Sequence, residues 1–360
     1  MIPLAGCAHA PKRRGPVPPL ERLTPAARAE AIARAQVWTP TEVATKDLLA
    51  GPQGEGAFAP GQTVNCNYVA RESSGHSPKF FCALTPEDTV KVKYGADNGE
   101  TYGEVAATRL FWALGFGADH NYSVKVVCRG CPPDPWRDKA RKPVPGERPF
   151  DPANIERKLS GAVMETRPDS GWKWTELDLV DESRGGAPRA HRDAFKLLAV
   201  MLQHTDNKPP QQRLICLPRG VEKRPNGDEY CTKPFMMVND LGLTFGRANL
   251  LNRNSVGSMN YDKWSTTPVW KDPARCIGKL SKSWTGTLRD PAISEAGRRF
   301  LADLLAQLSD RQIHDMFAAA RAELRLPNHP RPGKPRPSID DWVQAFKTKR
   351  DQITNHTCPN

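Results

Sequence analysis

The first half of the chain alternates short apolar runs with polar turns rich in glycine, serine and proline, which is typical of β-strands. Strands are expected at five places: residues 64–69, 79–84, 89–94, 122–127 and 161–165. Between the third and fourth strands, apolar positions repeat at helical spacing and predict a helix over 104–114. Residues 132–156 are polar and rich in proline, and we interpret them as a long insertion.

The second half has the apolar spacing of amphipathic helices, and one alanine-rich helix is expected near the start of the chain. These helices are predicted over residues 24–36, 189–203, 294–308, 309–324 and 340–353. Two apolar runs, 214–217 and 235–238, favour a hairpin whose strands are separated by a long insert. Strands first and helices later, with one helix among the strands, predicts an α+β fold.

Composition narrows the class of protein. The 360 residues are 26% charged and 38% hydrophobic, and no stretch approaches the roughly 18–20 apolar residues of a membrane-spanning helix. The net charge of +12 favours an anionic partner such as a nucleotide, phospholipid headgroups or an acidic polymer, although a solvated basic surface fits equally well. The chain has no aromatic-interleaved basic repeat or zinc finger, so nucleic acid is not expected as a partner.

Eight of the nine cysteines fit a disulfide framework of the kind found in oxidising compartments. Three pairs have loop-sized spacing, and the fourth follows by elimination: Cys66 with Cys82, Cys128 with Cys131, Cys216 with Cys231, and Cys276 with Cys358. Zinc binding by Cys128-Arg-Gly-Cys131 is the alternative. The chain offers no second Cys-x-x-Cys or histidine pair to complete four zinc ligands.

The ninth cysteine, Cys7, follows Leu4-Ala5-Gly6, and this segment resembles a bacterial lipobox, in which the cysteine carries lipid. A basic and apolar leader should precede it, and only six residues do, so either the start is assigned too late or the match is accidental. Together with the other cysteines, the segment favours an exported lipoprotein, periplasmic or otherwise extracytoplasmic, anchored to the membrane through Cys7. Lys12-Arg13-Arg14 is either a second membrane signal or part of a soluble tether.

The candidate chemistry is phosphoryl transfer, which needs a carboxylate for the acceptor, a cation for the phosphates and a second carboxylate for magnesium. On the strand Val90-Lys-Val-Lys93 the side chains alternate, so Lys91 and Lys93 share a face that either lines a cleft or is an exposed edge. Glu104, at the start of the predicted helix, is placed to pair with one of these lysines. Acidic residues favour helix starts in any case, so this residue alone is weak support.

The most specific segment is 204–211, His-Thr-Asp-Asn-Lys-Pro-Pro-Gln, which lies between a predicted helix and a predicted strand. Asp206 and Lys208, two positions apart in an extended loop, can face one phosphoryl group, and the two prolines stiffen the loop. A polar turn that ends a helix is the alternative. Further on, Asp240-Leu-Gly242 follows an apolar run, where a carboxylate can emerge from a strand into a cleft.

These segments resemble protein-kinase motifs. The 204–211 loop is similar, position by position, to the catalytic loop His-Arg-Asp-Leu-Lys-Pro-Glu-Asn, and Asp240-Leu-Gly242 is similar to Asp-Phe-Gly. The resemblance implies ATP and Mg²⁺ (or Mn²⁺) as cofactors and a buried structural role for His204. It implies these site residues: Asp206 as catalytic base, Lys208 at the γ-phosphate, Lys93, Lys91, Glu104 and Glu165 at the nucleotide, and Gln211 and Asp240 at the metal.

The departures from ordinary kinases are also specific. No Gly-x-Gly-x-x-Gly loop precedes the lysine strand, Gln211 replaces asparagine, and no Ala-Pro-Glu follows. The chain looks closer to atypical relatives such as the HipA, phosphoinositide, secretory-pathway and spore-coat kinase groups. That resemblance implies a bilobal fold: a small β-rich N-lobe with one helix over 49–165, and a larger, mainly helical C-lobe over 166–360, after a tether and short helix over 1–48.

The function that this resemblance implies is ATP- and Mg²⁺-dependent transfer of a phosphoryl group to a hydroxyl of an unknown protein or small molecule, by a monomer. Two alternatives stay open: a kinase-like scaffold without turnover, and a nucleotidyl transferase on the same fold. The missing glycine loop, Gln211 and the scarcity of ATP outside the cytoplasm favour the scaffold. Residues 132–156 and 217–234 are interpreted as insertions at the cleft margin that could select the acceptor.

Overall fold

The computed structural model describes residues 23–73, 75, 77–138, 142–165, 170–223, 225, 229–246, 258–326, 333 and 335–359. Within them, strands come first and most helices later, which confirms the mixed composition of helices and sheets expected from the sequence. The bilobal layout and the domain boundaries stay predictions. Cys7 and Lys12-Arg13-Arg14 lie outside the described residues. In the described part of the chain, no helix combines the length and the apolar character that a membrane span requires.

Five strands of the first half close into a barrel. They are β1 (Thr63–Val69), β2 (Lys79–Thr85), β3 (Asp88–Tyr94), β4 (His120–Arg129) and β5 (Glu147–Arg157). Around the barrel their order is β1-β2-β3-β5-β4, and every neighbouring pair is antiparallel except β1 with β4, which is parallel. Alternate side chains such as Val64, Phe80, Val92 and Ile155 point inward and form an apolar cluster.

Strand β5 occupies the second half of the segment 132–156, so the prediction of an insertion there is wrong for 147–156. This strand was not predicted because its proline and charged residues have low strand propensity. Pro149 lies where β5 pairs with β4 alone, and an edge position tolerates the missing N–H. Pro152 falls at a register shift of the β4–β5 pairing, where no regular ladder bond is lost.

The described residues contain seven α-helices. They are α1 (Pro25–Ala33), α2 (Glu100–Ala113), α3 (Arg189–Leu202), α4 (Tyr261–Thr266), α5 (Glu295–Ala306), α6 (Asp310–Ala319) and α7 (Ile339–Thr354). Helix α2 begins one turn earlier than predicted, and the side chain of Asn98 supports this start by accepting the Glu100 N–H at 3.2 Å. The predicted helix over 309–324 ends as α6 at Ala319, and α4 was not predicted. One large apolar core joins α2 to α3, α5, α6 and α7.

The remaining strands are short: β6 (Ala162–Val163), β7 (Gln212–Cys216), β8 (Val221–Lys223), β9 (Glu229–Cys231), β10 (Pro234–Val238), β11 (Trp270–Asp272) and β12 (Ile277–Gly278). Strands β7 and β10 pair antiparallel, which confirms the predicted hairpin, and β8 and β9 form a smaller hairpin inside its insert. Strand β6 joins the other edge of β7. A bridge between Ala118 and Val238 connects the chain after α2 to the end of β10.

All four disulfides have the predicted pairing. Cys66–Cys82 joins β1 to β2, and Cys216–Cys231 closes the insert between β7 and β10. Cys276–Cys358 joins the turn before β12 to the chain after α7. Because Cys128 and Cys131 are bonded to each other, the structure does not support zinc binding by this pair.

Removing the Cys276–Cys358 disulfide is expected to destabilise the protein more than removing Cys128–Cys131. The first bridges a sequence separation of 82 and the second a separation of 3. Loop-closure entropy then gives on the order of 4 kcal/mol against about 2 kcal/mol. Urea unfolding of the two double Cys→Ala proteins measures both losses. A larger loss for Cys128→Ala/Cys131→Ala would contradict this ranking.

Candidate active site

The site is built around Lys93 on β3. Strand alternation turns Val90 and Val92 into the barrel and leaves Lys91 and Lys93 on its outer face, as the sequence predicts. Lys93 is 0% exposed, so the alternative of an exposed edge is wrong for this residue. Its Nζ lies 2.6 Å from Glu100 Oε2, 2.5 Å from Glu104 Oε1 and 3.7 Å from Asp240 Oδ1.

The charges of this cluster act on one another, and they do not all favour the ionised forms: burial raises the pKa of Glu104 to about 8, although Lys93 opposes the shift. Burial alone would lower the pKa of Lys93, but Asp240, Glu100 and Glu104 raise that pKa well above its ordinary value. Burial alone would raise the pKa of Asp240, but Lys93, followed by Lys91 and Lys79, lowers it well below the usual range. Lys93 is therefore a cation and Asp240 a carboxylate at neutral pH.

Helix α2 supplies two carboxylates, of which only Glu104 was predicted. Glu104 is fully buried, and its Oε2 accepts from Asn154 Nδ2 at 3.4 Å. Glu100 stands one turn earlier on the same helix face and also accepts from Ser77 Oγ at 2.7 Å. The spacing of four residues was the available signal for Glu100, but it was missed because the helix was expected to start at Glu104.

Lys91 and Glu165 contact other protein groups. Lys91 pairs with Glu156 on β5, which also pairs with Lys158. Burial alone would raise the pKa of Glu156, but Lys158 and Lys91 lower it to about 2. Glu165 follows β6, and its Oε1 lies 3.4 Å from Arg213 Nη1. The nucleotide-binding roles of Lys91 and Glu165 stay predictions, and residues 166 and 167, which follow Glu165, lie outside the described residues.

The loop after α3 brings three of the predicted groups together. Asp206 Oδ2 accepts from Lys208 Nζ at 2.9 Å and from Gln211 Nε2 at 2.9 Å. The other oxygen, Oδ1, accepts from Ser283 Oγ at 3.1 Å. The carbonyl of Gln211 accepts the backbone N–H of Asp240 at 3.3 Å, so the loop is adjacent to the Lys93 cluster.

Asn207 fixes the back of this loop, although the sequence did not indicate it. Its Nδ2 donates to the carbonyls of His204 and Leu288 at 2.9 and 3.0 Å. Its Oδ1 accepts the backbone N–H groups of Thr287 and Leu288 at 2.7 and 2.8 Å. This buried amide therefore makes four hydrogen bonds, about as many as an asparagine side chain can. Most of these partners, like Ser283, lie about 80 positions away, so no local pattern could identify them.

His204 is fully buried, as predicted. No described residue hydrogen-bonds either ring nitrogen. Burial lowers the pKa of His204 to about 4, although the negative charges of Asp206 and Asp240 oppose the shift. The imidazole is neutral at physiological pH and packs near the Trp174 ring, at a centroid distance of 6.1 Å.

Asp240 opens a turn in which Gly242 lies close to the Glu100 side chain. Asp240 Oδ1 accepts the Gly242 N–H at 2.9 Å. A Cβ at position 242 would stand 2.8 Å from the carboxyl carbon of Glu100, so a larger residue would require the Glu100 carboxylate to shift. The glycine thus allows the turn and α2 to approach closely.

The oxygen donors at the end of β10 suit magnesium. Mg²⁺ prefers carboxylate and amide oxygens, and Asp240, Asn239 and Gln211 supply them. The side-chain oxygen of Asn239 is buried and accepts no hydrogen bond from any described residue. Carboxylate oxygens of Glu100, Glu104 and Asp240 also lie within 4.8 Å of one another, but Lys93 already pairs with all three.

Comparisons with known proteins add little to this geometry. No family model matches the sequence, and no curated relative matches it. Among solved structures, the chain is similar to the crystal structure of a Helicobacter pylori proinflammatory kinase, CtkA. The similarity covers 83% of this chain and 95% of that chain, with 9% sequence identity and a TM-score of 0.39. At that TM-score the likeness carries no argument about the chemistry of this chain.

His204→Phe is expected to weaken the pH dependence of stability. The pKa of His204 is about 4 in the folded protein against an ordinary 6.5, so the unfolded chain binds more protons between these values. The stability due to the neutral imidazole is fully present above pH 6.5 and is lost as the pH falls towards 4. Between pH 7 and pH 5 the wild type should lose about 2 kcal/mol more than the variant in urea unfolding. Equal losses would contradict this placement of His204.

Proposed function

We propose that the protein is a phosphotransferase with a bilobal, protein-kinase-like fold, which transfers the γ-phosphoryl group of ATP to a hydroxyl group. The observation that carries the proposal is the buried Lys93, held by Glu104 of α2 and by Asp240 after β10. A strand lysine, a helix glutamate and a turn aspartate are the groups that phosphoryl transfer uses to hold phosphates and their metal. The Asp206 cluster lies beside them through the Gln211–Asp240 backbone contact.

Asp206 acts on the acceptor in this proposal. The acceptor oxygen bonds to the γ-phosphorus while the bond from that phosphorus to the β–γ bridging oxygen breaks, and ADP leaves with the electron pair. The hydroxyl proton passes to the Asp206 carboxylate. Lys208, 2.9 Å from Asp206, and Lys93 offset the charge on the phosphoryl oxygens. Asp240 and Gln211 would hold Mg²⁺, which neutralises phosphate charge when bound.

The nucleotide is proposed to lie between the barrel and the helical half of the chain. Its phosphates reach Lys93 with Lys91 beside them, and its adenine lies near Glu165. Solvent reaches this region at Asp240 and Lys208, whose side chains are 21% and 33% exposed. Phosphates therefore have a path to the cluster although Lys93 itself is buried.

The protein is further proposed to be a monomer that works outside the cytoplasm, held to the membrane by a lipid on Cys7. The four disulfides support this location, because such bonds persist in oxidising compartments. The acceptor is then an extracytoplasmic protein or small molecule. The insert 217–234, closed by Cys216–Cys231, is a candidate for selecting that acceptor.

The purified protein with [γ-³²P]ATP and Mg²⁺ or Mn²⁺ is expected to label itself or an added acceptor, or to release labelled phosphate. Asp206→Asn and Asp240→Asn should each reduce the rate by about a hundredfold or more, because both groups act at the reacting phosphoryl. Label incorporation and phosphate release, measured together, check this expectation.

The matched control is Asp303→Asn, which removes an exposed carboxylate on α5 and should retain the wild-type rate. Label transferred from [α-³²P]ATP to an acceptor would show that the reaction is nucleotidyl transfer and not phosphoryl transfer. A rise in melting temperature with Mg-ATP but no transfer would identify the scaffold alternative. Neither binding nor transfer by the wild type would contradict the proposed function.

A further inference from the structure

A second lysine lies beside Lys93 on the outer face of the barrel. Lys79 is the first residue of β2, and the register of the β2–β3 pair places it directly opposite Lys93 on the outer face. Only 9% of Lys79 is exposed. Side chains opposite each other in an antiparallel pair are neighbours, so two ammonium groups share one buried surface.

The two lysines differ in what compensates their charge. Lys93 has three carboxylates, whereas Lys79 forms no ion pair with any carboxylate of the described residues. Its Nζ lies over the ring of Trp136, 5.7 Å from the centroid. A ring face attracts a cation, but less strongly than a carboxylate does in a buried position. Lys79 is thus a buried cation with no carboxylate in direct contact among the described residues, and Glu100 and Asp240 attract it only from a longer distance.

The position of Lys79 is fixed by its chain neighbours. Ser77, which is 1% exposed, donates its hydroxyl to Glu100 Oε2 at 2.7 Å and so ties the start of β2 to helix α2. Burial, and next Lys93, lowers the pKa of Lys79, while Glu100 and Asp240 oppose this shift. An anion bound at the outer face would offset both the desolvation of Lys79 and its repulsion from Lys93.

We propose that Lys79 is a second phosphate-binding residue, which with Lys93 grips the polyphosphate chain of the nucleotide from the β2–β3 face. The inference rests on the proposed function for the identity of the ligand. It also accounts for the absence of a glycine-rich loop, because a side-chain ammonium supplies the contact that backbone N–H groups of such a loop would make. Inorganic tripolyphosphate carries the same anionic chain and is the probe that isolates it.

The test compares Lys79→Met with Lys79→Arg and with the control Lys125→Met, which changes a half-exposed lysine on β4. Calorimetric titration with tripolyphosphate should show binding about tenfold to a hundredfold weaker for Lys79→Met. Lys79→Arg should recover most of the affinity, and Lys125→Met should bind as the wild type does. Adenosine, which has no phosphate, should bind equally to all four proteins.

The melting temperature without ligand separates a binding role from a structural one. Since Lys79→Met removes a buried charge that has no directly paired carboxylate, this protein should melt at or above the wild-type temperature and should gain less from tripolyphosphate. A clear loss of stability without ligand, equal tripolyphosphate affinities, or no tripolyphosphate binding by the wild type would each overturn the assignment of Lys79. If Lys79→Met binds tripolyphosphate weakly and the wild type binds it but transfers no phosphoryl group, the phosphate-binding role of Lys79 is supported. That result would contradict only the proposed ATP turnover.

Discussion

The arrangement of the molecule depends on the burial of one ammonium group. Lys93 has no exposed surface, and an unpaired charge in such a place costs on the order of several kcal/mol. The carboxylates that pair with it come from separate elements: Glu100 and Glu104 from α2, and Asp240 from the turn after β10. The barrel, helix α2 and the sheet that contains β10 must therefore meet at Lys93. If any of them moved away, a charged group would be exposed to solvent or left buried without its ion-pair partner.

The loop that contains Asp206 is held by a second buried polar group, the neutral side-chain amide of Asn207. Asn207 is buried and uses its amide fully, so the backbone around Leu288 has to stay where those hydrogen bonds reach it. Ser283 then comes within hydrogen-bond distance of Asp206. The Gln211 carbonyl joins this rigid loop to the Asp240 turn. The Lys93 cluster and the Asn207 hydrogen bonds are thus adjacent to each other. The partly exposed side chains of Asp240 and Lys208 lie where the two networks meet.

Local patterns predicted the parts of this arrangement that local physics determines. Strand alternation correctly separated Val90 and Val92 from the alternating residues Lys91 and Lys93, and short cysteine spacings indicated three of the disulfides. Strand β5 was missed because its pairing with two neighbours overrides the low strand propensity of its prolines and charged residues. Glu100, Asn207 and Ser283 were missed because their importance arises from partners in other elements. The roles of Lys91, Glu165 and Gln211 in binding stay predictions.

The charge composition of the cleft bears on whether the protein binds a ligand or is only a scaffold. Buried ion pairs can often be replaced by apolar side chains without loss of stability. A protein that binds no ligand at this cleft therefore does not need buried ion pairs there. Here Lys79, Lys91 and Lys93 share one face of the barrel, and the carboxylates beside them are largely occupied by Lys91 and Lys93. Lys79 has no directly paired carboxylate on this face, and only the longer-range attraction of Glu100 and Asp240 offsets its charge, so an anion bound beside it would add a favourable contact. This asymmetry between Lys79 and Lys93 supports the proposed phosphate binding.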